Sequence, residues 1–200
     1  MKNNEIVWRT IADAAIVERR RWDSIADLAF EAGTHEQTTH LAVKKLREIG
    51  AVTKLGRGGF SVTSPDKVIT LLSAWRNLTS SRDCARTTVN EVNKLIEQGV
   101  RLTGALFDAA VHHLGGVNTI ADYSHNAVYV GHDGWVGRTF EPGDEITILF
   151  ADDRAIEKWA GVASPAQTIA DLFATPGWQS AEFRFAMLDK FVPRRDWEQR

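Results

Sequence analysis

The sequence has a single cysteine, Cys84, among its 200 residues. It therefore offers no internal disulfide and no multi-cysteine metal site, and we interpret Cys84 as a structural or incidental thiol. It also has no run of about 18 apolar residues, and the opening residues, MKNNEIVWRT, lack the apolar segment typical of a secretory signal. We expect no membrane span and a cytoplasmic location.

A strong excess of one charge sign is also missing. The chain has 24 Lys and Arg residues, 26 Asp and Glu residues and a formal net charge of -2. DNA binding requires only that positive charge be concentrated locally. Residues 1–64 carry ten basic and eight acidic side chains, and the stretch from Lys44 to Arg57 has five basic residues against one acidic residue, Glu48. This distribution is compatible with an N-terminal DNA-binding domain.

The stretch Thr34–Gly50 has the pattern of a helix with a narrow buried side. Ala42, Leu46 and Ile49 recur at steps of four and three, and Thr39 extends the same face. The opposite side is polar and basic, so this helix is a candidate for contacting DNA. We expect its exposed N-terminal part to reach base edges in the major groove through Thr34, Glu36, Gln37, Thr38 and His40.

Two strand-like runs, Val52–Leu55 and Phe60–Thr63, flank a Gly-Arg-Gly-Gly turn and predict a β-hairpin after this helix. The hairpin and the basic half of the helix carry the residues that we expect to bind DNA phosphates or to contact the minor groove: Lys44, Lys45, Arg47, Lys54 and Arg57.

Two helices are predicted before Thr34. The first runs from a cap at Asn4 to about Arg20, and the second runs from a cap at Asp23 or Ser24 to Ala32. Two helices joined by a short turn and followed by a β-hairpin are typical of a winged helix-turn-helix domain, which we place at residues 1–66.

The remaining chain predicts a second domain. We interpret residues 67–98 as a helical connector that includes a polar linker, LTSSRDCARTT, and residues 99–200 as a domain in which short strands alternate with helices. In that domain, Ser164 and Pro165 predict the start of a helix. The predicted fold class is α+β: an N-terminal winged helix-turn-helix plus a C-terminal mixed α/β domain.

The motifs for catalysis or metal binding are weak. His112 and His113 are adjacent, so their side chains diverge by about 100° on a helix, and neither has an acidic or cysteine partner one turn away. Asp152 and Asp153 follow a predicted strand, as acidic turn residues commonly do. Ser164 lacks the glycine-rich setting of a nucleophilic serine, and no nucleotide-binding glycine loop occurs. We expect no enzyme activity, no cofactor and no metal.

Three motifs together resemble a known family: LLSAW at Leu71–Trp75, RLTGALFDAAVHHL at Arg101–Leu114 and ASPAQTIADLFATPG at Ala163–Gly177. With the predicted winged helix, they resemble the AbiEi-type antitoxins of type IV toxin-antitoxin systems over nearly the whole chain. The resemblance implies an autorepressor that binds double-stranded DNA at promoter repeats. Independently of the resemblance, about five phosphate contacts per protomer give limited affinity, so we expect a homodimer on the DNA. The resemblance also implies a C-terminal domain that counters a nucleotidyltransferase-like toxin, with or without direct contact.

Two other functions remain open from the sequence. The first is a winged-helix transcription factor whose second domain senses a small ligand. The second, which the weak catalytic motifs disfavour, is an enzyme with a DNA-binding module. A nucleotidyltransferase-like gene next to this one would favour the antitoxin.

Overall fold

The computed structural model describes residues 3–79 and 83–192, apart from the side chain of Arg57. The protein is a mixed α+β chain with small sheets. It divides into two compact units. The N-terminal unit contains residues 3–76 together with the last described residues, 188–192, and the C-terminal unit contains residues 77–187.

The described part of the N-terminal unit alternates helices with short strands, and a turn of 3-10 helix, Gly56–Gly58, lies within it. Its elements are α1 (Asn3–Ile16), β1 (Arg21–Trp22), α2 (Ile25–Ala32), α3 (Glu36–Glu48), β2 (Val52–Lys54), β3 (Phe60–Val62) and α4 (Pro65–Trp75). The strands form an antiparallel sheet in the order β1-β3-β2. The predicted elements are therefore present in their predicted order, and β1 is an additional strand.

Helix α1 supplies the centre of this unit, because it packs against α2, α3 and α4. Its Trp8 is fully buried and donates a hydrogen bond from Nε1 to the carbonyl of Ala42 on α3, at 3.1 Å. The same ring meets Trp75 of α4 edge-on, with the ring centroids 5.6 Å apart. Trp8 thus fixes α3 and α4 to the same helix.

Two predictions for this unit are wrong. The first helix ends at Ile16 and does not reach Arg20, since Glu18 has a φ of 64° and Arg21 pairs with Ser61 in the sheet. Ile49 does not belong to the buried face of α3: it is 41% exposed because the helix has already ended at the preceding residue.

The C-terminal unit contains a four-stranded sheet in the order β4-β7-β6-β5, in which β6 and β7 are parallel and the other pairs antiparallel. Its elements are β4 (Cys84–Thr87), α5 (Val89–Glu97), β5 (Leu102–Gly104), α6 (Leu106–Leu114), β6 (Asn126–Val130), α7 (His132–Trp135), β7 (Ile146–Phe150), α8 (Asp153–Lys158), α9 (Pro165–Ala174) and α10 (Trp178–Phe191). The last residues of α10, from Leu188, group with the N-terminal unit.

The two faces of this sheet are different. One face packs Ile148 and Phe150 against α5 in an apolar cluster. On the other face, Tyr129 of β6 is fully buried. Its hydroxyl donates a hydrogen bond to Asp171 Oδ2 of α9, at 2.6 Å. Asp171 also accepts a hydrogen bond from Gln167 Nε2 at 2.9 Å. Asp171 therefore ties α9 to the sheet.

Two predictions for the C-terminal unit are also wrong. The polar stretch LTSSRDCARTT is not only a linker, because its residues Cys84–Thr87 form strand β4, which pairs with β7. The sequence pattern of residues 119–123 predicts an extended segment, but these residues contain no strand. By contrast, the predicted cap is confirmed, since Ser164 Oγ accepts a hydrogen bond from the backbone amide of Gln167.

The division into units differs from the predicted domains 1–66, 67–98 and 99–200. Helix α4 groups with the N-terminal unit because it packs on α1. At its end, the buried Arg76 guanidinium lies 3.4 Å from the buried carboxylate of Glu5. Strand β4 and helix α5 belong to the C-terminal unit because β4 pairs with β7 and α5 covers the sheet. The predicted connector is thus shared between the units.

The environment of His125 leads to a prediction for the C-terminal unit. Burial, reinforced by the positive charge of Arg86, lowers the pKa of His125 below its ordinary value of 6.5. Arg86→Gln should raise this pKa part of the way back, because burial is the larger cause and remains. An NMR titration of the His125 ring protons measures the change. Arg101→Gln, which removes an exposed charge elsewhere in the unit, should leave the pKa unchanged.

The sign of the stability effect follows from the direction of that shift. The folded state binds the His125 proton less well than the unfolded state, so this group favours folding less as pH falls below about 6.5. The loss should be smaller in Arg86→Gln. An equal His125 pKa in both proteins would contradict the role given to Arg86.

Candidate nucleic-acid interface

Helix α3 begins directly after a tight connection from α2. Gly33 ends α2 in the left-handed conformation, with a φ of 68°, and the amide of Thr34 bonds back to the carbonyl of Ala29. The hydroxyls of Thr34 and Thr39 lie 2.8 Å apart. This connection orients the first turn of α3.

One stripe of α3 is buried against the rest of the N-terminal unit: Thr39, Ala42, Val43 and Leu46. Four residues at this spacing cover one side of a helix and leave the opposite side to solvent. We call that opposite side the exposed face of α3. It consists of Glu36, Gln37, His40, Leu41, Lys44, Arg47 and Glu48.

Most of the predicted base-edge residues lie on this exposed face. Glu36, Gln37 and His40 are exposed within the first turns of the helix. Thr38 and Thr34 are half-buried, and the Thr34 hydroxyl is engaged with Thr39. Amide, imidazole and carboxylate groups on one helical face can hydrogen-bond the edges of several adjacent bases.

The predicted phosphate-binding residues are placed in different settings. Lys44 and Arg47 are exposed on the face itself, and Lys44 Nζ lies 3.9 Å from Glu48 Oε1. Lys45 points away from the face, because its Nζ lies 4.2 Å from the centre of the Trp75 ring and 5.9 Å from that of Trp8. Such a cation-π contact stabilises the lysine in place. Lys45 is thus less available to DNA than Lys44.

The hairpin brings further positive charge to the N-terminal unit. Lys54 is exposed on β2 of the hairpin. Lys67 follows the hairpin on α4, and its Nζ donates a hydrogen bond to the carbonyl of Ile49, just after α3. Arg57 lies in the turn of the hairpin, but its side chain is outside the described part of the structure. Gly59 is required there, since a Cβ would lie 2.7 Å from the Trp22 carbonyl oxygen.

The arginine run at 19–21 is engaged within the unit. Arg19 forms an ion pair with Glu31 and lies over the Trp22 ring, at 4.9 Å from its centre. Trp22 Nε1 donates to the same glutamate, at 3.0 Å. These contacts join the chain around β1 to α2, so Arg19 has a structural role beside the sheet.

Sequence reasoning missed Leu41. It is 51% exposed and lies one helical turn after Gln37 and one before Lys44. An apolar side chain among polar ones on such a face can contact the methyl group of thymine. The sequence did contain a signal for this residue, because an apolar side chain outside the apolar repeat of α3 is expected to be exposed.

The side chains considered for catalysis have local structural partners. His113 Nε2 lies 2.7 Å from the carbonyl oxygen of Ala163, and His112 is exposed. Asp152 caps α8, and Asp153 Oδ1 accepts a hydrogen bond from the amide of His132. Within residues 3–79 and 83–192, no group of three or more His, Cys, Asp or Glu side chains is arranged to hold a metal ion.

The comparisons with known proteins add no further information. The chain matches no family model, no curated protein and no solved structure. In the described part of the chain, no helix is both long and apolar enough to cross a membrane. The geometry of α3 and the hairpin, together with the sequence motifs, is what indicates a function for this chain.

Proposed function

We propose that the protein is a DNA-binding transcriptional autorepressor in which the N-terminal unit is a winged helix-turn-helix domain. α2 and α3 form the helix-turn-helix, α3 is the recognition helix, and the hairpin β2–β3 is the wing. The observation that carries the proposal is the exposed face of α3, where Gln37, His40 and Lys44 are presented on a helix whose other side is fully packed.

The charges of the N-terminal unit support the same docking. On the exposed face, Lys44 and Arg47 follow Gln37 and His40, so groups that can bind phosphate continue from groups that can read bases. The exposed Lys54 adds a cation on the adjoining hairpin. The few cations involved give one unit limited affinity, so two protomers on paired half-sites are expected.

The test uses DNA from upstream of the protein's own gene. The full chain should retard this fragment in an excess of random competitor DNA, and footprinting should show paired half-sites whose centres are separated by whole helical turns of about 10 bp. A single protected half-site bound with full affinity would contradict the dimeric arrangement. Equal binding to the upstream fragment and to random DNA would contradict autorepression.

A specific prediction separates base reading from phosphate binding. Gln37→Ala should weaken binding to the upstream fragment by about 1–3 kcal/mol and leave binding to random DNA unchanged, because a side chain that reads a base edge contributes only at the matching sequence. Competitive mobility-shift titrations at fixed salt measure both affinities.

Asn90→Ala is the matched control, since it removes an exposed side-chain amide from the C-terminal unit. It should change neither affinity. If Gln37→Ala weakened both DNAs equally, Gln37 would be a backbone contact and the proposed orientation of α3 would be wrong.

We further propose that the protein is the antitoxin of a type IV toxin-antitoxin system. The resemblance of the motifs at 71–75, 101–114 and 163–177 to AbiEi-type antitoxins supports this part of the proposal. The test is co-expression of the full chain with the product of a neighbouring nucleotidyltransferase-like gene. Rescue of growth is the expected result, and unrelieved toxicity at matched expression would overturn the antitoxin role.

A further inference from the structure

Leu41 lies in the middle of the exposed face of α3. The other apolar residues of this helix, Ala42, Val43 and Leu46, are all buried, whereas Leu41 is 51% exposed. At about 100° per residue, Leu41 falls nearly opposite this buried stripe, with which α3 packs against α1, α2, α4 and β2. The packing of the N-terminal unit therefore gives this apolar side chain no role.

The charges around Leu41 favour a polyanion as the partner that covers it. Lys44 follows it by one helical turn and Arg47 follows by a further turn, and both are exposed. Gln37, also exposed, precedes it by one turn. Leu41 is thus placed between an amide that can contact a base and cations that can bind phosphates. A duplex held by Lys44 and Arg47 covers the leucine as well.

The spacing along α3 places Leu41 within reach of the bases. Gln37 and Leu41 are four positions apart, so they lie on the same side of the helix and about 6 Å apart along its axis. Successive bases along a strand of duplex DNA are about 3.4 Å apart. With α3 lying in the major groove, both side chains therefore meet base pairs of the same half-site.

The chemistry of the groove decides which base suits a leucine. Among the groups on the base edges, the C5-methyl of thymine is the apolar one that the major groove offers. The other edge groups are hydrogen-bond donors and acceptors, and a leucine that covers one of them removes its water without replacing the hydrogen bond. Contact with the methyl group instead removes apolar surface of both partners from water. Leu41 therefore favours thymine.

We infer that Leu41 contacts the methyl group of a thymine in each half-site and determines the preference for thymine at that position. The inference rests on the proposed function, since it requires α3 to lie in the major groove. It adds a specificity-determining residue whose contribution depends on one methyl group of the DNA and not on a hydrogen bond or a charge.

The test replaces the thymines of one footprinted half-site, one at a time, by deoxyuridine, which keeps the base pairing and lacks only the methyl group. At one position, deoxyuridine should weaken binding of the full chain about fourfold, the value of one buried methyl group. Leu41→Ala should bind the thymine site at least fourfold more weakly, and it should lose no further affinity with deoxyuridine at that position. Competitive mobility-shift titrations measure the four affinities of this double-mutant cycle.

Ile96→Ala is the matched control, because it removes an aliphatic side chain that is 56% exposed on α5 of the C-terminal unit. It should bind as the unaltered chain does and keep the full sensitivity to deoxyuridine. Alanine is a strong helix former, so Leu41→Ala should retain α3.

Two results would overturn the inference alone: a half-site in which no deoxyuridine weakens binding by the unaltered chain, or a Leu41→Ala variant as sensitive to deoxyuridine as Ile96→Ala. In both cases the unaltered chain would still prefer the upstream fragment to random DNA, and the proposed function would stand. Loss of that preference itself would overturn the proposed function together with the inference.

Discussion

Trp8→Ala should reduce the protection of backbone amides in α1, α3 and α4 against hydrogen exchange by about 100- to 4000-fold. Trp8 is fully buried, donates a hydrogen bond to α3 and packs edge-on against Trp75 of α4. Truncating a buried tryptophan costs about 3–5 kcal/mol because contacts are lost and a cavity remains. Every 1.4 kcal/mol corresponds to a factor of ten, so hydrogen exchange read by mass spectrometry measures this loss.

Two further variants make this prediction specific. Trp8→Phe keeps a buried ring and removes the indole donor, which leaves the carbonyl of Ala42 without that partner, so it should cost about 1–3 kcal/mol. Trp178→Ala removes a ring that is 65% exposed and should change protection little. Protection of α1 and α3 within tenfold of the unaltered chain in Trp8→Ala would contradict the central position given to Trp8.

Local signals explain why much of the fold could be predicted. Capping chemistry predicted Asp23 or Ser24 at the start of α2 and Ser164 at the start of α9. Ser24 and Ser164 each accept a hydrogen bond from the amide three residues later. The hairpin after α3 was predicted from two short runs around a glycine-rich turn, and both strands form. In each case, the deciding interaction lies within a few residues, so the sequence pattern contains it.

The elements that were missed depend on distant partners. β1 has only two residues, Arg21 and Trp22, and exists because they pair with Ser61 and Phe60 nearly forty positions later. β4 has a polar sequence and is a strand because β7 lies beside it. No local period distinguishes such segments from loops, since pairing and packing override intrinsic preference.

The same distinction applies to the candidate DNA interface. The exposed face of α3 followed from the helical repeat, which correctly placed Gln37, His40, Lys44 and Arg47 in solvent. The cation-π contact of Lys45 could not be predicted in this way, because Trp75 is thirty positions away on α4.

Replacing both Lys44 and Arg47 by alanine should reduce DNA affinity about 30-fold at 0.15 M salt. Each phosphate contact adds about 0.9 to the slope of log affinity against log salt concentration. At this salt concentration, each contact therefore raises the affinity about fivefold. The slope should therefore fall by about 1.8, and the loss should be similar for the upstream fragment and random DNA. Mobility-shift titrations between 0.05 and about 0.2 M salt measure both quantities.

Lys94→Ala with Arg101→Ala is the matched control, because it removes two exposed cations from the C-terminal unit and changes the net charge equally. It should leave the salt slope unaltered, since neither residue lies in the N-terminal unit. Equal losses in the two double variants would mean that overall charge, and not the exposed face of α3, governs the affinity. A loss confined to the upstream fragment would instead make Lys44 or Arg47 a base-reading residue, with α3 lying deeper in the groove than the docking proposed above.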